Sequence, residues 1–444
     1  MKWKEAGGIF SVAILGVLIH LLPFFIYGAH PLGYDTGFYR RYLIDHQHIL
    51  QNVPGLGYDT ILPKATYDFL HFLKLPTDLI LYGSVIALAL LGTIALYFLV
   101  RATSDKKTAI LSAFLFTLSP IQYFGYWAML YKNMYGVLIL LLTAFLIQKR
   151  SPWMYVGAVM LVLCHETTSV IFLLALAVFW IINKKMRRET TIMFALSAIV
   201  FCLIHFADIG GTILNLPHAS FSSWSEYAVF SFPLFLLAIA GFKQYMKNMR
   251  GSFFLAFSAV SIAYPILHLP FYQRIFIFTD IAVAVMAAFG VVYFWEAARS
   301  APNQLQKYLF AVTLGMFLIG TGCLLGNRIE SLSPMVSAST LRELKNIDAF
   351  VPKGSYLLTE TMLAPWAEGW SHDHIIAPGL LFDRHSLAEW TAFWGETDPK
   401  KRILFLNSFD KPLYFFVPSN DVPTYAPDGC TEKMTDYIYK YTCE

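Results

Sequence analysis

Eleven apolar runs, separated by short polar or basic breaks, set the limits on what this chain can fold into. They cover approximately 8–28, 79–100, 108–124, 133–148, 153–164, 168–182, 191–208, 227–242, 252–268, 275–296 and 308–326. A helix needs about 20 apolar residues to cross a bilayer core, so most of these runs read as spans. The two that flank His165 are shorter and predict tilted helices, or a helical hairpin entering from one side. With 57% hydrophobic and 14% charged residues and a mean hydropathy of +0.54, the chain lacks the polar surface that would cover a soluble globule. The expected fold class is an α-helical polytopic membrane protein with about eleven transmembrane helices.

Basic residues fix the expected orientation. If the N-terminus is cytoplasmic, one set of alternate segments (2–4, 101–107, 149–150, 184–188, 243–250 and 299–307) holds sixteen Lys and Arg. The short loops on the other side hold six: Arg40, Arg41, Lys64, Lys74, Lys132 and Arg274. Lys and Arg concentrate on the cytoplasmic side of membrane proteins. The chain is therefore expected in a cell membrane, multi-pass, with a cytoplasmic N-terminus and an extracytoplasmic C-terminus. The first apolar run is too long for a signal peptide and lacks a good cleavage site, so it reads as a retained span. A net charge of +4, spread through such loops, gives no basic face for nucleic acid.

Two larger pieces are then expected outside: a first loop, 29–78, and a tail, 327–444, following a transmembrane domain of 1–326. In the loop, residues 36–50 and 65–75 read as amphipathic helices lying in the interface. In the tail, "STLRELKNIDAFVP" reads as a helix stopped by proline, with Leu341, Leu344, Ile347 and Phe350 on one face. "SYLLTE", "RILFLN" and "PLYFFV" read as strands, giving a small α/β domain. Cys430 and Cys443 lie in that tail, where an oxidising compartment lets disulfides persist, and are expected to pair.

Several ionisable residues stand at span ends. Asp35, in "PLGYDTGFYRR", directly follows the first span and heads a helix, where an acid can serve as an N-cap. Asp59, in the second "GYDT", reads as a turn residue. His165 and Glu166 begin a span, where charge is costly and marks a cavity, a pair or a site. Arg274 is the one basic residue of its outer loop, and Lys132 opens the fourth span. Asp280, a turn or two from Arg274, reads as its ion-pair partner. His372, His374, Asp383 and His385 cluster in the tail, but their spacing matches no closed structural zinc pattern. No P-loop, G-x-G-x-x-G, G-x-S-x-G or C-x-x-C motif occurs, so no nucleotide cofactor is expected.

The segments "PLGYDTGFYRR", "YKNMYGVLILLL", "CHETTSVIFLL", "FYQRIFIFTDIAVAVMAAFG" and "LRELKNIDAFVPKGSYLLTE" together, in this order, resemble the GT-C superfamily of membrane glycosyltransferases. That group includes protein O-mannosyltransferases, the aminoarabinose transferase of lipid A and the catalytic subunit of oligosaccharyltransferase. The resemblance implies a polyprenyl phosphate sugar donor, a glycan, lipid or protein acceptor, and transfer at the outer membrane face. It implies that Asp35 acts as base or metal-held acid, with His165 and Glu166 as further catalytic residues. Arg274, Lys132, Arg40 and Arg41 would bind the donor phosphate, with Arg274 on the wall opposite Asp35. Whether a divalent metal takes part stays open. The alternatives are a transporter or flippase for lipid-linked glycans, or a polymerase or ligase using a pyrophosphate-linked donor.

Overall fold

The protein is described from a computed structural model, which covers residues 3–28, 33–45, 61–128, 130–215 and 222–443. In chain order the helices of its larger part are α1 (Trp3–Tyr27), α2 (Thr36–Asp45), α3 (Ile61–Phe72), α4 (Thr77–Arg101), α5 (Lys106–Leu118), α6 (Pro120–Trp127), α7 (Tyr131–Gln148), α8 (Trp153–Val162), α9 (Glu166–Ile182), α10 (Arg187–Asn215), α11 (Trp224–Asn248), α12 (Phe253–Ile266), α13 (Tyr272–Ser300) and α14 (Gln304–Ser331). The tail adds α15 (Ala338–Lys345), β1 (Tyr356–Thr359), α16 (Ala364–Trp370), β2 (His374–Ala377), β3 (Leu380–Leu381), α17 (Leu387–Gly395), α18 (Pro399–Leu406), β4 (Leu413–Phe416), α19 (Val422–Tyr425), β5 (Thr431–Lys433) and β6 (Ile438–Tyr441). The chain divides into two compact units: Met1–Ala29, Thr60–Thr66 and Tyr82–Ser333 form one, and His30–Asp59, Tyr67–Leu81 and Pro334–Glu444 the other.

The first unit is helical; ten of the eleven apolar runs each coincide with one helix, and 108–124 is broken into α5 and α6. Among the described residues, seven helices are long and apolar enough to cross a membrane, or eight if α5 and α6 form one span. The remaining apolar helices, α8, α9 and α12, are shorter. α5 and α6 meet at 55°. The break is local chemistry: Ser119 is extended, Pro120 follows it, and the Ser119 hydroxyl accepts from the N–H groups of Ile121 and Gln122 to start α6. α13 is the core of this unit, buried from Ile275 to Val291. It crosses α11 closely because Gly241 and Gly290 carry no Cβ; one added at either would overlap backbone of the other helix.

The second unit holds a six-stranded sheet in the order β3-β2-β1-β4-β6-β5. β1 pairs in parallel with β2 and β4, and the outer pairs are antiparallel. Strand alternation sends Leu357, Ile375, Tyr414 and Phe416 to one face, where they pack with Trp366 and Trp370 of α16, Leu344 of α15 and Phe38 of α2. Leu358, Ile376 and Phe415 go to the other face, against Trp390 and Phe393 of α17 and Leu406 of α18.

Three expectations about the tail change. "RILFLN" is not a strand but lies in α18, because Asp398 caps the Lys400 N–H and Pro399 takes the first helical position. The helix at 338 ends at Lys345, before any proline, and a 3₁₀ turn (Ile347–Ala349) carries Ile347 into the core. The sheet also has strands, β2, β3, β5 and β6, beyond the expected ones. Cys430 and Cys443 are disulfide-bonded, beside the β5–β6 hairpin.

Candidate functional site

In the first unit the structure brings together His165, Glu166, Lys132 and Arg274. α9 begins after His165, which is extended and caps it: the imidazole Nδ1 accepts the Thr168 N–H at 3.3 Å and lies 3.0 Å from the Thr168 hydroxyl. Because Nδ1 is an acceptor, the network assigns the ring proton to Nε2, which lies 3.4 Å from Glu166 Oε1. Glu166 Oε2 is buried and accepts no hydrogen bond.

Gly136 of α7 makes this arrangement possible, since a Cβ there would collide with the Thr168 side chain. Lys132 lies one turn earlier on the same helix, so the glycine that admits the head of α9 also sets it near a lysine. The charges of both Lys132 and Arg274 act on His165 and Glu166. Arg274 sits in the first turn of α13, directly after Phe271 in the left-handed conformation (φ 60°). Among the described residues Arg274 forms no ion pair. A half-buried acid oriented by a histidine, with two cations acting on it, can bind an anion and hold a proton acceptor beside it.

Asp35, Arg40 and Arg41 lie in the second unit. Asp35 immediately precedes α2, and its carbonyl accepts from the Tyr39 N–H, as the cap residue of a helix does. Its turn is fixed on both sides: the Tyr34 hydroxyl donates to the Thr361 carbonyl at 2.9 Å, and the Thr36 hydroxyl to the Gly33 carbonyl at 2.8 Å. Burial pushes the Tyr34 phenol above its usual range, and the charge of Asp35 adds to it. Arg40 donates to the Gly369 carbonyl at 2.5 Å and lies over the Trp370 ring, while Arg41 donates to the Ser371 carbonyl at 2.7 Å. Both arginines thus hold the C-terminal carbonyls of α16.

Other candidates are absorbed by the fold. Asp59 lies outside the described residues, as does the 46–50 end of the expected interfacial helix. Asp280 does not pair with Arg274; it accepts from Ser119 and Gln122. His372 pairs with Asp348, His374 stands in β2 between Tyr356 and Phe382, Asp383 accepts from the Trp390 indole, and His385 contacts Ser408. Among the described residues no three His, Cys, Asp or Glu side chains converge as a metal-ligand set. Thr168 and Gly136 escaped the sequence reading, because a threonine and a glycine inside apolar helices carry no signal until the facing helix is known.

No family model and no curated protein matches the chain. Solved structures do. The chain is similar to the archaeal oligosaccharyltransferase AglB of Archaeoglobus fulgidus, solved in complex with an inhibitory peptide and a dolichol-phosphate (11% identity, TM-score 0.69, 100% of this chain and 74% of that one). It is similar to ArnT of Cupriavidus metallidurans, solved bound to undecaprenyl phosphate (11%, 0.60, 98% of each). It also resembles the arabinofuranosyltransferase AftD from Mycobacteria (15%, 0.57, 93% of this chain and 36% of that one). The chain shares the fold of these proteins. It combines a helical unit with a small C-terminal sheet, as expected from the sequence.

Proposed function

We propose that the protein is an integral membrane glycosyltransferase that moves a sugar from a polyprenyl phosphate carrier to a glycan, lipid or protein acceptor at the outer face of the membrane. The observation that carries this reading is the meeting of Arg274 and Lys132 with the buried His165 and its partner Glu166 at helix ends, on a fold shared with transferases whose structures hold dolichol-phosphate or undecaprenyl phosphate. In the transfer, an acceptor oxygen or nitrogen attacks the anomeric carbon, the bond from that carbon to the phosphate oxygen breaks, and the carrier leaves as a phosphate. Arg274 and Lys132 bind that phosphate and stabilise the charge that grows on it. Asp35 takes the proton of the acceptor. Glu166, with its free buried oxygen, accepts from hydroxyl groups of the donor and orients them. Arg40 and Arg41 keep α2, and hence Asp35, in place. The N-terminus is cytoplasmic in this reading, and the tail extracytoplasmic.

The test supplies the purified protein with a panel of radiolabelled polyprenyl phosphate sugars and membrane extract. Wild type is expected to transfer label from one donor, and Arg274→Ala to lose roughly 10²-fold, the usual cost of removing one preorganised transition-state donor. Full transfer by Asp35→Asn removes the role given to that acid. Failure of every donor to react, with lipid-glycan translocation seen in vesicles, replaces the enzyme with a flippase.

A further inference from the structure

Asp280 takes no part in the proposed transfer, yet it sits fully buried in α13, facing the break between α5 and α6. Its two hydrogen bonds both go to one oxygen: the Ser119 hydroxyl at 2.7 Å and the Gln122 amide at 3.0 Å donate to Oδ2. Oδ1 accepts none. Beside it on α11 stand Ser231 and Tyr227, whose hydroxyls are likewise buried and make no hydrogen bond of good geometry, although Ser231 lies close to both Asp280 and Tyr227. The Gln122 carbonyl oxygen is a fourth buried oxygen without a partner. Among the described residues Asp280 forms no ion pair, and its bonded partners, Ser119 and Gln122, are neutral. Arg328 of α14 lies over the rings of Phe124 of α6 and Phe230 of α11 and is committed to Glu226 at 2.6 Å.

A buried carboxylate without a counter-charge is neutralised by a proton or by a cation. A proton on Oδ1 supplies one donor to a neighbouring hydroxyl, which can pass its own hydrogen along Ser231 and Tyr227, whereas a cation takes lone pairs from all four oxygens and brings the missing positive charge. One carboxylate matches one positive charge; calcium and magnesium sites recruit more carboxylates or phosphates, and among the described residues no acidic cluster is found. Discontinuous helices inside a membrane domain are also where coupling ions are seated. We propose that Asp280 Oδ1, Ser231 Oγ, Tyr227 Oη and Gln122 Oε1 form a site for a monovalent cation, sodium, that fixes the α5–α6 break against α11 and α13. The site is independent of the sugar-transfer reading.

The full-length protein in detergent is titrated with NaCl replacing choline chloride at constant ionic strength, between pH 6 and 8, following thermal unfolding and equilibrium binding of ²²Na⁺. The expected result is a saturable rise in Tm with sodium and stoichiometric label. Both are lost in Asp280→Asn, and the apparent Kd rises at least tenfold in Ser231→Ala. Should Asp280→Asn fail to fold, Ser231→Ala decides, because alanine suits the helix and leaves the carboxylate in place. A wild-type response to sodium no greater than to choline shows that the acid holds a proton instead and overturns the proposal. A sodium response unchanged in Ser231→Ala overturns it equally.

Discussion

Gly37→Ala places one methyl group where α2 crosses α16, two residues after Asp35. A Cβ at Gly37 would overlap the Pro365 carbonyl, and on the facing side a Cβ at Gly369 would come within 2.5 Å of the Gly37 Cα. Both obstacles are backbone, so no rotamer change relieves them, and α2 must lift. Lifting it lengthens the bonds from Arg40 to the Gly369 carbonyl and from Arg41 to the Ser371 carbonyl, now 2.5 and 2.7 Å. Hydrogen bonds to charged groups contribute about 1.5–3 kcal/mol each, so losing both costs at least about 3 kcal/mol. Staying in place costs a similar amount, at the top of the ~1–3 kcal/mol range for overpacking. Alanine returns about 1 kcal/mol through helix propensity. The net is about 2 kcal/mol, roughly a 30-fold change in an equilibrium constant at 1.36 kcal/mol per decade. Hydrogen–deuterium exchange on the full chain should show residues 36–45 and 364–370 losing about that much protection while α13 is unchanged, and transfer activity falling with it. Protection of α2 equal to wild type, or higher, would mean that propensity outweighs contact and that the crossing is not tight.

Three further outcomes follow from the same structure. Glu226→Gln leaves Arg328 buried without its carboxylate and should cost about 3 kcal/mol, with most of it regained in Glu226→Gln/Arg328→Met; equal melting of single and double variants would deny the pairing. Cys443→Ser should destabilise the second unit by about 2–3 kcal/mol, given the short loop the bond closes, and expose Cys430 to a thiol reagent, while labelling of both cysteines in unreduced, denatured wild type would exclude the bond. Burial, and then the charge of Asp421, raises the Glu360 carboxyl above its usual range. A raised folded-state value stabilises below the unfolded pKa of about 4.3, and that stability is lost as pH rises through the folded value. Glu360→Gln should therefore raise the melting temperature of the second unit at pH 7 and leave it level with wild type below pH 4; an equal gain at both pH values would assign the effect to packing.

What the sequence revealed depended on how far each signal reached along the chain. Spans were legible because apolar length is a local property: every predicted run but 108–124, which breaks into α5 and α6, coincides with one helix, while the number that crosses depends on tilt and pairing that no single run encodes. Strands β1 and β4 were legible as short apolar runs, but "RILFLN" has the same composition and folds as α18, because the decision lies four residues upstream at Asp398 and Pro399. Asp280 was assigned to Arg274 by nearness in sequence, although Arg274 acts on α9 residues and Asp280 bonds to α6 and lies beside α11.

The stretch "GYDTG" carries the same lesson into the site. Read alone, it offered one acid, with a cap and a catalyst as competing roles. In the folded chain Tyr34 is tied to the end of β1, Thr36 to Gly33, and Gly37 is pressed against α16. The neighbours of Asp35 hold the turn rigid, and a carboxylate on a rigid turn keeps its aim without an ordering cost at each turnover. Cap and catalyst then stop being rivals, since the cap geometry is what would fix the carboxylate for chemistry.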